Sequence, residues 1–203
     1  MLKNAGHKLP NLRIRNIKKS IVDKRIYLVL FIFIFLTDFA LKAGAQSADT
    51  TGKTIPDGKL DWKYYTGQID HNSGYWANTN CGINYKFSVM PSFKDTVKIL
   101  LHVWTVLKND SWVLPDKKSS ELLEHEQGHL DLAILCSLEF EKLVKSTTFL
   151  IINYTQRIDS LFKVTLNKYK LMEIRYDSET NHMFDRAKQA EWNKTLETML
   201  KSQ

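Results

Sequence analysis

Between Ser119 and Lys145 the chain carries His125-Glu126-Gln127-Gly128-His129 inside a stretch that is too apolar, on too many sides, to be a surface helix. Leu122, Leu123, Leu130, Leu132, Ala133, Ile134, Leu138, Phe140, Leu143 and Val144 cover more than one helix face, the pattern of an element packed among others. Ser119 or Ser120 can cap its start, and Glu121 and Glu124 suit the positive end of the helix dipole. Residues four apart in a helix stand one turn above each other, so the imidazoles of His125 and His129 can reach one cation. Glu126 then projects toward a water on that cation. Metal-assisted hydrolysis needs this arrangement: two neutral imidazoles hold zinc, and a carboxylate outside the ligand set takes a proton from the bound water.

Residues 1–45 read as a signal peptide. Lys18, Lys19, Lys24 and Arg25 precede an apolar run from Ile26 to Leu36, and Ala43-Gly44-Ala45 ahead of Gln46 fits the small-x-small cleavage rule. Even taken to Leu41 the run is shorter than the ~20 residues a membrane span needs. A membrane is therefore expected to matter only through an uncleaved leader, and the mature chain is expected to be periplasmic or extracellular. The leader holds nine Lys and Arg against two Asp, which accounts for the whole formal charge of +7. What remains is formally neutral, which argues against a nucleic-acid partner.

After the leader, residues 46–58 are polar and without periodicity and read as a flexible lead-in, followed by one domain over 59–203. Leu60 to Tyr65 is a short strand candidate. Ile83, Tyr85, Phe87 and Val89 alternate with polar residues as a half-buried strand should, and Pro91 ends it. Thr96 to Leu107 is the longest strand, apolar enough on both faces to suggest burial on both, and Ser111 to Leu114 is a last short one. A second helix is expected from Ser146 to about Arg175, a polar loop over Tyr176–His182, and a final helix from about Asp185 to Leu200. Strands first and helices after make an α+β domain, with a small antiparallel sheet against the motif helix and two further helices. Cys81 and Cys136 are an even pair that permits a disulfide in an exported chain.

A catalytic zinc takes three protein ligands and one water, so the motif leaves one ligand to find. Asp131, two residues past His129, is about 200° around the helix and points away. Leu132 and Leu135 stand where a long metzincin motif would place its Gly and third His. His182, at the end of Tyr176-Asp177-Ser178-Glu179-Thr180-Asn181-His182, is the leading candidate, with Glu179 and Asp177 as rivals. His71, in a Gly- and Asn-rich loop, and His102, in a strand, read as structural.

Leu60-Asp61-Trp62, Ser111-Trp112, the run Leu122 to Asp131 around the motif, Tyr176 to His182, and Gln189-Ala190-Glu191-Trp192-Asn193 occur together along the mature chain. Taken together, these segments resemble a bacterial domain-of-unknown-function family described as predicted secreted zinc-dependent proteases. Met183 departs from the pattern, where a small residue is expected. The resemblance implies a zincin-like fold, export and peptidase activity on a peptide or protein substrate. On that reading His125, His129 and His182 hold Zn2+, Glu126 is the general base, and Tyr176 donates a hydrogen bond to the oxyanion. The alternative is a non-catalytic envelope binding domain in which zinc only locks the fold.

Overall fold

The structure is a computed structural model that describes residues 44–46 and 52–203. The expected leader lies outside the described residues, except that the backbone of Gly44 and Ala45, with Gln46, forms a strand. The main sheet is antiparallel and has five strands: β1 (Gly44–Gln46), β2 (Gly52–Lys53), β4 (Cys81–Pro91), β5 (Thr96–Lys108) and β7 (Phe149–Leu150). Its order is β1-β4-β5-β2, with β7 on the same edge of β5 as β2 but at the opposite end. A separate ribbon pairs β3 (Ala77–Asn78) with β6 (Trp112–Val113). Three α-helices follow among the described residues: α1 (Ser120–Ser146), α2 (Tyr154–Thr180) and α3 (Arg186–Lys201). The α+β class and the small antiparallel sheet are as the sequence leads one to expect.

Alternation places Ile83, Tyr85, Phe87 and Val89 of β4 beside Val97, Ile99, Leu101 and Val103 of β5 on one face, where they meet the helices. From α1 come Leu135, Cys136, Phe140 and Val144, and from α2 Ile158 and Tyr169, all buried. Truncating Phe140, fully buried at the centre, would cost about 3–5 kcal/mol. The other face of β5 is open in its first half, with Lys98, Leu100 and His102 exposed, so this strand is not covered on both sides as its composition suggests. There the His102 ring lies on Trp104, centroids 5.1 Å apart.

Helix α1 starts where its cap residue dictates, the Ser119 side chain accepting from Leu122 N–H at 3.1 Å. Other boundaries depart from expectation for identifiable reasons. Leu60–Tyr65 is not a strand; Asp61 accepts from Lys63 N–H at 2.9 Å and winds Trp62–Tyr64 into a 3-10 turn. Residues 147–153 do not start a helix, because the β-branched and aromatic run puts Phe149 into the core and pairs β7 with β5. The lead-in expected to be flexible is in part held: β2 pairs with β5, and Ile55 is buried. Gln127 completes this hold, its amide donating to Gly58 O and accepting from Leu60 N–H, both at 2.8 Å.

The largest departure is at the end of α2. The helix runs through Tyr176 to Thr180 instead of giving way to a loop at Arg175. Its buried side here carries Tyr176 and Thr180, both fully buried, and turns Glu173 and Asp177 toward the motif histidines. Apolar periodicity stops there because the surface that the helix meets is polar.

Candidate metal centre

The first turns of α1 and the last turn of α2 bring three ligand atoms together. His125 Nε2 lies 3.3 Å and His129 Nε2 3.1 Å from the same Asp177 Oδ1. These residues form a group whose ligand atoms all fall within 4.8 Å of one another. On the far side of each ring, Nδ1 is engaged: that of His125 with Gln189 Oε1 at 3.1 Å, that of His129 with Glu173 Oε1 at 3.2 Å. Both partners are acceptors, so each ring donates from Nδ1 and leaves Nε2, the atom that faces Asp177, as the one that can bind a cation. Asp177 Oδ1 is buried between the two rings, with no other side chain bonded to it. Three ligand atoms converge on one point, a group that could hold a metal ion.

The residues fit zinc by that test. Two imidazoles and one carboxylate are a ligand set used by hydrolytic zinc, and outer acceptors on both Nδ1 atoms are the usual support for metal-binding histidines. Without metal, a proton has to serve. Burial works against a charge on His129, but Asp177, Glu173 and Glu126 outweigh it and hold its pKa up at about 10. Burial likewise works against the Asp177 carboxylate, yet the two histidines keep its pKa well below the usual carboxylate range.

Glu126 is buried, faces the same pocket, and has no hydrogen-bond partner among the described residues. The pocket, about 390 Å³, is floored by His125, Glu126, His129, Glu173 and Asp177 and walled on the other side by Trp76–Thr79 around β3. Leu114 N–H donates to Trp76 O at 2.8 Å, so in the β3–β6 register Trp76 and Asn78 turn their backbone groups toward β6. Ala77 and Thr79 then turn theirs the other way. That edge of β3 carries no strand partner among the described residues.

His182 is at the mouth of this pocket and not among the grouped atoms: its Nδ1 is 3.9 Å from Asp177 Oδ1 and its side chain is 45% exposed. Its ring packs on Tyr75, centroids 5.2 Å apart, and Phe184 meets Trp76 edge-on at 5.0 Å. Asn181, His182 and Met183 all have positive φ, at 47°, 50° and 83°. The position where a small residue is expected thus has the backbone that glycine adopts most easily. Glu179 faces away, taking hydrogen bonds from Arg175 Nε at 2.7 Å and Trp192 Nε1 at 2.8 Å.

Tyr176 does not face the pocket, and its expected oxyanion role is corrected accordingly. It is fully buried, its ring stacked on His125 at 4.8 Å, and its hydroxyl donates to His125 O and accepts from Gln189 Nε2, both at 2.8 Å. It is a support for the first histidine. Asp131 accepts from Gln127 Nε2 at 2.7 Å, on the side of α1 away from the metal ligands. Cys81 and Cys136 are free thiols that line a separate cavity of about 210 Å³ behind His129, and burial pushes both up to about 12.

Residues 46–183 match a family described as bacterial protein of unknown function (DUF922). The chain belongs to the DUF922 family. The matched region runs from the expected mature start through the motif to just past His182, and it ends before α3. No curated protein and no solved structure matches the chain. Gln189, which sequence reading did not single out as a site residue, lies beyond the DUF922 match and is fully buried against Tyr176 and His125. A buried glutamine on an otherwise amphipathic helix was its only signal.

Proposed function

We propose that this DUF922 protein is an exported zinc-dependent peptidase of zincin-like architecture, with His125, His129 and Asp177 as ligands and Glu126 as general base. The observation that carries the reading is the buried Asp177 Oδ1 facing two Nε2 atoms whose rings are both fixed from behind. Bound zinc would supply an activated water and polarise a substrate carbonyl. Glu126, free of hydrogen bonds and one residue along the helix from His125, takes a proton from water in the pocket and delivers it to the leaving amine. The free backbone groups of Ala77 and Thr79 suit an extended peptide added as a strand along β3. Tyr176 and Gln189 hold His125 still while this happens.

His182 separates this reading from the non-catalytic one. At 3.9 Å from Asp177 Oδ1 it stands near enough that a small rotation would make it a fourth ligand and close the centre. The test is zinc content and hydrolysis of an unfolded protein substrate by wild type, Glu126→Gln, Asp177→Ala and His182→Ala. The peptidase reading expects one zinc per chain, retained in Glu126→Gln with activity down by about 10²–10⁴, lost in Asp177→Ala, and kept in His182→Ala. Zinc lost from His182→Ala, with a wild type inert toward every peptide, would make the centre structural.

A further inference from the structure

At the end of α1 away from the histidines, two connections are laced side by side. The β4–β5 turn is fixed by Ser92 N–H to Thr96 O at 3.1 Å and Thr96 Oγ1 to Phe93 O at 2.6 Å. The α1–α2 connection is tied to it through Ile151 N–H to Asp95 O at 2.8 Å and through the pairing of Leu150 with Thr96. On this ordered backbone Ile152 is 81% and Phe93 78% exposed, with Leu150, Ile151, Met90 and Leu100 partly exposed around them. The fold does not need these side chains, since β7 pairs through its backbone and sends only Phe149 inward. A contiguous apolar patch of this kind marks an interaction surface.

Charge identifies the partner. Segments 86–100 and 145–157 carry Lys86, Lys94, Lys98, Lys145 and Arg157 against one acid, Asp95, on a domain that is neutral outside its leader. Among the described residues only Lys145 of these is paired with an acid, with Glu141 at 2.8 Å, and Lys94 lies 5.3 Å from the Phe93 ring centre. Exposed apolar side chains with lysines in the same segments suit an interface of acyl chains and anionic headgroups, where lysine stems stay in the apolar layer and their ammonium groups reach the phosphates. Among the described residues no helix is long and apolar enough to cross a membrane.

We infer that this tip, about 30 Å along α1 from His125, docks the domain on an anionic lipid bilayer and leaves the pocket facing away from it. The inference is independent of what the metal centre does. It is tested on the full chain with an environment-sensitive fluorophore at Ile152→Cys, a control label at His71→Cys in the loop leading to the pocket, and the unsubstituted chain as labelling blank. Vesicles of phosphatidylglycerol are compared with phosphatidylcholine, each with and without nitroxide-bearing lipid. Expected is a blue-shifted, nitroxide-quenched signal from position 152 on phosphatidylglycerol and none from position 71. Lys94→Glu with Lys98→Glu is expected to weaken that signal's apparent affinity at least tenfold, with unchanged thermal unfolding. A chain that stays off the vesicles, or one bound with position 152 still in water, overturns the inference. So does binding indifferent to the two lysines, which would assign attachment to the leader, or shielding of position 152 by soluble polyglutamate alone, which would assign the tip to an acidic protein.

Discussion

A Cβ added to Gly128 would stand 2.3 Å from the Tyr176 hydroxyl and 2.4 Å from the ring carbon that bears it. The gap in the motif between Gln127 and His129 is thus where α2 leans on α1, and the absent side chain is what lets Asp177 approach. In an exposed helix, glycine to alanine stabilises by about 1 kcal/mol. Here Gly128→Ala is expected to destabilise by about 1–3 kcal/mol through overpacking and to weaken zinc binding as Asp177 is pushed back. Urea unfolding with a zinc titration checks both, and a stabilised variant would contradict the packing described.

Gln189 accepts from His125 Nδ1 while donating to Tyr176 and to Asn193 Oδ1, the last at 2.8 Å. Removing such an outer support typically costs 10–100-fold in metal affinity. Gln189→Ala is expected to fall in that range, and Gln189→Glu, which keeps an acceptor for His125, to lose less. Competition with a zinc chelator measures the difference; equal affinities for all three proteins would leave Gln189 a packing residue.

Metal-free protein should have a distinctive pH profile. His129 titrates near 6.5 when unfolded and at about 10 when folded, so the folded state binds the proton more tightly. The stability it contributes is complete below about pH 6.5 and is lost as pH rises toward 10. Asp177, held low, contributes in the opposite sense, with stability present above its unfolded value of 3.8 and lost in more acid solution. Apo protein is expected to melt highest between about pH 4 and 6.5, and saturating zinc to flatten the alkaline side. Calorimetry with and without chelator reads this directly.

Gln127 is the motif residue with no reach to the metal. Its amide holds Gly58 and Leu60, and with them the segment that buries Ile55. Gln127→Ala is expected to cost about 1–3 kcal/mol through unsatisfied backbone groups and to speed proteolysis near residue 58, with zinc affinity within about threefold of wild type. A large loss of zinc instead would show that this segment supports the metal ligands.

The α+β class, both long strands, their inward faces and the motif helix with its Ser119 cap are legible in the sequence, because alternation, helical periodicity and capping are local signals. The third member of the candidate group is not. Asp177 stands on a helix whose apolar pattern lapses where it borders His125 and His129, so hydropathy reads residues 176–182 as loop. The polar stretch points to the right segment, but within it only tertiary packing separates Asp177, turned to His125 and His129, from Glu179, turned to Trp192. Tyr176 is misread for the same reason. A tyrosine beside an acidic stretch looks catalytic until Gly128 is seen to leave it a place inside.

The group that orients His125 is made 64 residues after it, on the helix that Arg186 and Asn193 also tie to Glu124 at the start of α1. A chain stopped at residue 183 would contain the motif, Asp177 and His182, yet its first histidine would be free to turn. If the centre binds an ion as proposed, tight binding would await the docking of the last helix and so would report a full-length, correctly folded chain.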